Sequence, residues 1–164
     1  MGLDINVKKP IKFIGTERPD DEEIDYFCLY TLGFEPIMHL QAYKKGYWEY
    51  ECSGDAEYSS PYGTFNDLRE VITAAVYGCD YKEYVRQLET GARAFEGPFV
   101  EMLWFADNEG NFDYIIADKL LKDFQNWENE VVPKMNRDFL KKCYTDYMNV
   151  LKECIDCKGV VDYH

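Results

Sequence analysis

The rhythm of hydrophobic and polar positions changes near residue 60. Before it, short β-compatible runs are punctuated by Gly, Pro and charge. LDINV at 3–7 and IKFIG at 11–15 flank Lys8, Lys9 and Pro10, and YFCLYT at 26–31, IMHLQAY at 37–43 and YWEYEC at 47–52 follow. Such runs predict strands, because β-branched and aromatic side chains suit a pleated, half-buried surface. KKGYWEYEC reads as a hairpin arm, and ERPDDEEID at 17–25 as a solvated acidic loop.

Beyond residue 60 the apolar positions recur every three or four residues, the spacing of a helix with one buried face. Thr64 and Asp67 form a T-x-x-D capping box, Leu68, Val71, Ile72 and Ala75 make the inner stripe, and Gly78 ends the helix. A second helix, near 80–94, turns Tyr84, Val85 and Leu88 inward and Arg86 and Arg93 outward. PFVEMLWFADNEGNFDYII predicts a hairpin, strand to DNEG turn to strand, ahead of a helix carrying Ile116, Leu120, Phe124 and Trp127. The last helix, about 136–157, presents Leu140, Cys143, Tyr147, Leu151 and Cys154, and KGVVDYH closes the chain as a Gly-capped turn into a short strand. The expected fold is a single α+β domain over residues 1–164. Its mostly antiparallel sheet comes from the N-terminal half and the central hairpin, and packs against about four helices.

Composition narrows the function classes. With 164 residues, 46% hydrophobic and 16% aromatic, the chain has the length and the core material for one folded domain. No run reaches the ~18 apolar residues of a membrane span, and MGLDINVKKP lacks the apolar centre of a signal peptide, so the expected setting is cytoplasmic. Met1-Gly2 starts like a myristoylation signal, but Asn6 stands where Ser or Thr is required. A net charge of −13 repels phosphate backbones and argues against direct nucleic-acid binding, while it suits a basic protein partner or simple solubility.

The cysteines at 28, 52, 79, 143, 154 and 157 contain one CxxC, at Cys154 and Cys157, without the second close pair of a structural zinc site. They read as reduced thiols, with zinc or redox chemistry as the alternative. Counting from Asp107, an EF-hand would need Gly at the sixth place and Glu at the twelfth, where Phe112 and Asp118 stand. No metal or cofactor is expected. The chain has no Gly-rich phosphate loop, no G-x-S-x-G, no H-E-x-x-H, and two His residues, His39 and His164. No catalytic residue is assigned, and the balance falls against an enzyme.

The opening MGLD, YGTFNDLR ahead of the first helix, PFVEMLWFADNEG, ADKLLKDF and the closing VVDYH together resemble a family of small bacteriophage and prophage proteins. Its members begin MGLD, carry S-Y-S-G-F-N-x-W-R-like and F-S-D-C-E-G-like segments, and end in D/E-F-H. Tyr62, Phe65, Asn66 and Arg69 match the first segment, while Gly63, Thr64 and Leu68 depart from it. Phe105, Asp107, Glu109 and Gly110 match the second, where Ala106 and Asn108 depart, and Asp162 and His164 match the C-terminus, where Tyr163 replaces Phe. The resemblance implies a phage or mobile-element origin, hence action inside a host bacterial cell, and carries no established catalytic role.

The candidate ligand-binding residues are Tyr58, Tyr62, Gly63, Arg69, Trp104, Asp107, Glu109 and His164. Tyr58, Tyr62 and Trp104 can stack on a flat ring, and backbone N–H groups at the Tyr62-Gly63 turn suit an anion. Arg69 lies too early in its helix to gain from the helix dipole, so it either pairs with Asp107, Glu109 or Asp162 or binds a phosphate or carboxylate. Asp107 and Glu109 are turn residues or acceptors for a base or ribose. The leading expectation is an anti-defence protein that sequesters a small nucleotide-like immune signal without catalysis. The alternatives are an acidic inhibitor covering a basic, nucleic-acid-binding face of a host defence complex such as a CRISPR effector, and a nucleotide-processing enzyme using Asp107, Glu109 and His164. A homo-oligomer is compatible with each.

Overall fold

A strand of 14 residues, β1 (Gly2–Gly15), is the axis of the sheet. In this computed structural model, which describes residues 2–20, 23–30, 41–52, 54–104 and 110–164, LDINV and IKFIG belong to one strand rather than two. Pro10 does not break it, because the ladder with β3 (Gly46–Cys52) shifts register between Pro10 and Lys12, and a bulge tolerates the missing N–H. β2 (Tyr26–Leu29) pairs with β3, and β4 (Tyr58–Pro61) pairs with the start of β1. β5 (Gly110–Asp113) and β6 (Val160–Tyr163) complete an antiparallel sheet of order β2-β3-β1-β6-β5 with β4 beside β1.

The sheet curls until its two ends meet. Asn111 N–H donates to the Tyr30 carbonyl (3.1 Å). Its side chain accepts from Tyr30 N–H (2.8 Å) and donates to the Cys28 carbonyl (2.9 Å). Strand alternation gives the sheet two faces. Leu3, Ile5, Val7, Phe112, Val161 and Tyr163 face the helices and the main core. Phe27, Leu29 and Val160 form a second cluster on the face enclosed by the curl, with Tyr43, Trp48 and Tyr50 against it.

The helices are α1 (Tyr62–Tyr77), α2 (Tyr81–Glu89), α3 (Val100–Trp104), α4 (Tyr114–Val131) and α5 (Asp138–Cys157). None among the described residues is long and apolar enough to cross a membrane. α1 starts two residues before the expected cap. Pro61 occupies the N-cap, Thr64 is buried inside the first turn, and Asp67 pairs with Arg137 instead of closing a capping box. Gly78 ends α1 in the left-handed region (φ 68°), as its sequence position implies. Asp80 and Asp113 cap α2 and α4 by accepting from Glu83 N–H (2.8 Å) and Ile115 N–H (3.0 Å).

Two expectations of local structure are corrected. PFVEMLW does not form the first strand of a hairpin. Val100–Trp104 is helical, with Met102 and Leu103 N–H bonded back to the Phe99 carbonyl (3.0 and 2.9 Å). A short continuous apolar run is equally a buried strand or a buried helix, and no period decides it. The turn after α5 is made by Lys158 (φ 52°), not by Gly159. Gly159 is required by space instead: a Cβ there would lie 2.8 Å from Val7 and 2.9 Å from the Lys8 carbonyl. Of the IMHLQAY strand, 37–40 lie outside the described residues and 41–43 form no strand.

Candidate functional site

α1 carries the residues on which the sequence-based site depends, and its buried stripe is Thr64, Phe65, Leu68, Arg69, Ile72 and Thr73. Arg69 is therefore part of the inward face, 3% exposed. Its Nε donates to the Met102 carbonyl (3.2 Å), and its guanidinium lies 4.4 Å from the centre of the Phe65 ring and 5.7 Å from that of Tyr81. Beyond Phe65 lie Tyr147 and Tyr163, whose hydroxyls share a short hydrogen bond. Burial pushes both hydroxyls above the ordinary tyrosine range, and the positive charge of Arg69 acts in the opposite sense. Arg69 is thus a cation built into the core.

The remaining expected site residues separate. Tyr58 is 1% exposed, packs edge-on against Phe65 and Tyr147, and accepts a hydrogen bond from Ser60 (2.7 Å). Its ring is core and has no face free for a ligand. Tyr62 is half-buried against the same core. Gly63 is exposed, and a Cβ there would meet nothing within 4 Å, so close packing does not demand glycine. Trp104 is half-buried and edge-on to Phe95, ring centres 4.9 Å apart. Arg86 is bound to Glu83 (2.7 Å), whose carboxyl that contact lowers to about 2, and Arg93 lies 4.6 Å from the Tyr77 ring centre and donates to Gln87 (3.0 Å). Asp107 and Glu109, with the DNEG turn before Gly110, fall outside the described residues.

The segments do meet. Gly110 pairs with Tyr163 across β5 and β6, and the Phe65 and Tyr163 rings lie 6.3 Å apart. The expected Arg69–Asp162 pair is not part of that meeting. Asp162 points from the opposite face of β6, where it accepts from Lys8 Nζ (2.5 Å) and Asn111 Nδ2 (3.0 Å). Lys8 also stands 4.9 Å from the Tyr50 ring centre. His164 continues β6, exchanging backbone hydrogen bonds with Asp4 (3.0 Å each), and its Nδ1 lies 3.9 Å from Asp162, beyond hydrogen-bonding reach. Asp162 is already satisfied by Lys8 and Asn111, so it does not orient His164 as a base.

Sequence reasoning did not single out Lys8, Asn111, Glu101 or Asp113. Glu101, 4% exposed, bonds Lys119 (2.6 Å), and burial raises its carboxyl above the usual range. Asp113, fully buried, accepts from Tyr43 N–H (3.0 Å) and from Ala42 N–H, and burial likewise raises it. Glu101 thereby ties α3 to α4, and Asp113 holds the 42–43 backbone. Among the described residues no group of three or more His, Cys, Asp or Glu is placed to hold a metal ion.

Two clefts are formed by described residues. One cleft of about 360 Å³ lies between β1 and the loop after β3, with Asn6, Cys52, Asp55 and Glu57 in its wall. Another, about 320 Å³, lies between α1 and the start of α5 and includes Asp67, Glu70 and Arg137. Each brings two carboxylates to its wall. Comparison with protein-family models, with curated proteins and with solved structures found no match to this chain.

Proposed function

We propose that the protein acts by binding rather than by catalysis, as an acidic inhibitor that covers a basic, nucleic-acid-binding face of a host defence protein in the bacterial cytoplasm. The observation that carries this reading is the disposition of charge. The chain has 31 acids against 18 cations, and several of its cations are bound within the molecule. Arg69 is in the core, Arg93 lies on tyrosine rings, and Lys8, Lys119 and Arg86 are held by carboxylates. A nucleotide-like signal needs a presented cation for its phosphate, and Arg69 does not serve. A basic protein face needs the reverse, an excess of exposed carboxylates, which both clefts provide. The resemblance to phage proteins supports an anti-defence setting.

The test is competition. The protein is added to purified nucleic-acid-guided effector complexes, and target DNA binding is followed by gel shift at increasing salt. Loss of DNA binding that weakens steeply with salt, together with a stable protein–effector complex in size-exclusion chromatography, is the expected result. Unchanged DNA binding at low salt across effectors, or calorimetric binding of a cyclic nucleotide, overturns it.

A further inference from the structure

We propose that residues 92–96 are a displaceable strap, and that its Arg93 and Phe95 fill a docking site for an arginine and an aromatic side chain two residues apart on the basic partner. The choice of partner rests on the function proposed above, whereas the site rests on the strap. The segment joins α2 to α3 and is bounded by two glycines of positive φ, Gly91 (72°) and Gly97 (108°), a conformation that suits a hinge. Exposure alternates along it. Ala92, Ala94 and Glu96 are exposed, and Arg93 and Phe95 between them are half-buried. Among the described residues one backbone hydrogen bond holds it, from Arg93 N–H to the Gln87 carbonyl (3.0 Å). The root beyond it is fixed. The Gly97 carbonyl accepts from Lys119 (2.6 Å), the Pro98 carbonyl accepts from the Tyr77 hydroxyl (2.5 Å), and Phe99 N–H donates to Asp123 (2.9 Å). A segment held in this way opens between its hinges and leaves α3 and α4 in place.

The cradle beneath the strap is built to hold a guanidinium. The Tyr77 and Tyr84 ring centres lie 4.5 Å apart, and the Arg93 guanidinium lies 4.6 and 5.4 Å from them. Gln87 donates its amide N–H to Glu83 (2.8 Å), which orients the amide oxygen to accept from Arg93 Nε (3.0 Å). Two residues further on, Phe95 meets Trp104 edge-on, ring centres 4.9 Å apart. Aromatic faces with one neutral acceptor favour the planar, weakly hydrated guanidinium over the ammonium of lysine. The supports of the cradle do not depend on the strap. Tyr84 is fully buried, Tyr77 is held by Pro98, and Gln87 by Glu83. An incoming arginine therefore replaces Arg93 contact for contact, and the rest of the partner's interface decides the balance. Arg93 competes with it as a tethered ligand, at an effective concentration on the order of millimolar. A strap closed about 90% of the time lowers the apparent affinity about tenfold.

The probe is the peptide acetyl-Ala-Arg-Ala-Phe-amide, titrated into the 15N-labelled full-length protein and followed by amide and indole chemical shifts. Saturable shifts at Tyr77, Tyr84, Gln87, Trp104 and residues 91–97 are expected. The double variant Arg93→Ala, Phe95→Ala, which removes the tethered competitor, should bind the peptide about tenfold more tightly than wild type. If its spectrum is not that of a folded protein, Arg93→Ala alone, a change at a half-buried loop position, serves in its place and should also bind more tightly than wild type. Peptides with citrulline or lysine for arginine should bind about tenfold more weakly. Absence of localised shifts, a folded variant that binds no better than wild type, or equal binding of the citrulline or lysine peptide overturns the site. If the peptide binds as expected but no effector does, the inhibitor function fails and the site stands. If an effector binds wild type and the strap variants equally well, the site fails as its anchor and the function stands.

Discussion

Replacing Arg69 by Ala tests whether the cation is structural. The change removes a charge-assisted hydrogen bond to the Met102 carbonyl and a guanidinium 4.4 Å from the Phe65 ring centre, at a position 3% exposed. Hydrogen bonds to charged groups contribute roughly 1.5–3 kcal/mol. A desolvated cation–π contact contributes up to about 2 kcal/mol. Because the two share one side chain and do not add fully, a loss of roughly 2–4 kcal/mol is expected, a large part of the ~5–15 kcal/mol that holds a domain folded. For a chain of this length that lowers Tm by on the order of 10 °C. Urea unfolding followed by circular dichroism measures it directly. Arg69→Met also removes the charge but fills much of the same space, so it avoids the cavity that Ala leaves and should lose less than Arg69→Ala. The reasoning is refuted if Arg69→Ala unfolds at the wild-type urea midpoint, or if the Met variant is the less stable of the two.

Tyr163→Phe removes one side of the buried Tyr147–Tyr163 hydrogen bond and should cost about 1–3 kcal/mol, while the Tyr147→Phe, Tyr163→Phe double variant regains most of it; additive losses in urea unfolding would show that the hydroxyls do not interact. Burial raises Glu101 above its ordinary 4.5, so the folded state holds that proton more tightly than the unfolded chain does. Its contribution to stability therefore falls as pH rises from the unfolded value through the raised folded one. Wild-type stability relative to Glu101→Gln should decline across that window, and a difference that stays flat from roughly pH 4 to 7 contradicts the assignment.

How much of this was legible depended on whether the deciding interaction is local. α1, α4 and α5 are readable because a 3.6-residue period shows which face is buried, and the α+β class followed from the change of rhythm near residue 60. β1 was split at Pro10 because sequence does not reveal that the ladder shifts register there. α3 was read as a strand because Val100–Leu103 are all buried, and a helix buried all round has no polar face to expose its period. For Arg69 the sequence leaves open an ion pair or an anionic ligand, although residues 65, 68, 69 and 72 share one stripe and its position places it inward. The role of Asn111 was not legible. Which partner a strand side chain meets depends on the neighbouring strands: Asn111 reaches β2 only because the sheet curls.

The same internal arrangement determines the character of the surface. Asp162, Glu101 and Asp113 are 8%, 4% and 0% exposed, and a buried carboxylate needs a cation or several N–H donors. The fold supplies Lys8 to Asp162, Lys119 to Glu101 and backbone N–H groups to Asp113. Each lysine used in this way is withdrawn from the task of balancing surface acids, and Arg69 and Arg93 are withdrawn by aromatic rings. Asp55, Glu57, Glu89, Glu96, Glu128 and Glu130 remain exposed. Their joint field reaches about 8–10 Å at physiological ionic strength. It therefore acts on the approach of a macromolecule more than on the orientation of a small one. An anionic nucleotide is slowed by that field and a basic protein face is drawn in, which is the physical ground for proposing an inhibitor of a cationic surface over a trap for a phosphate.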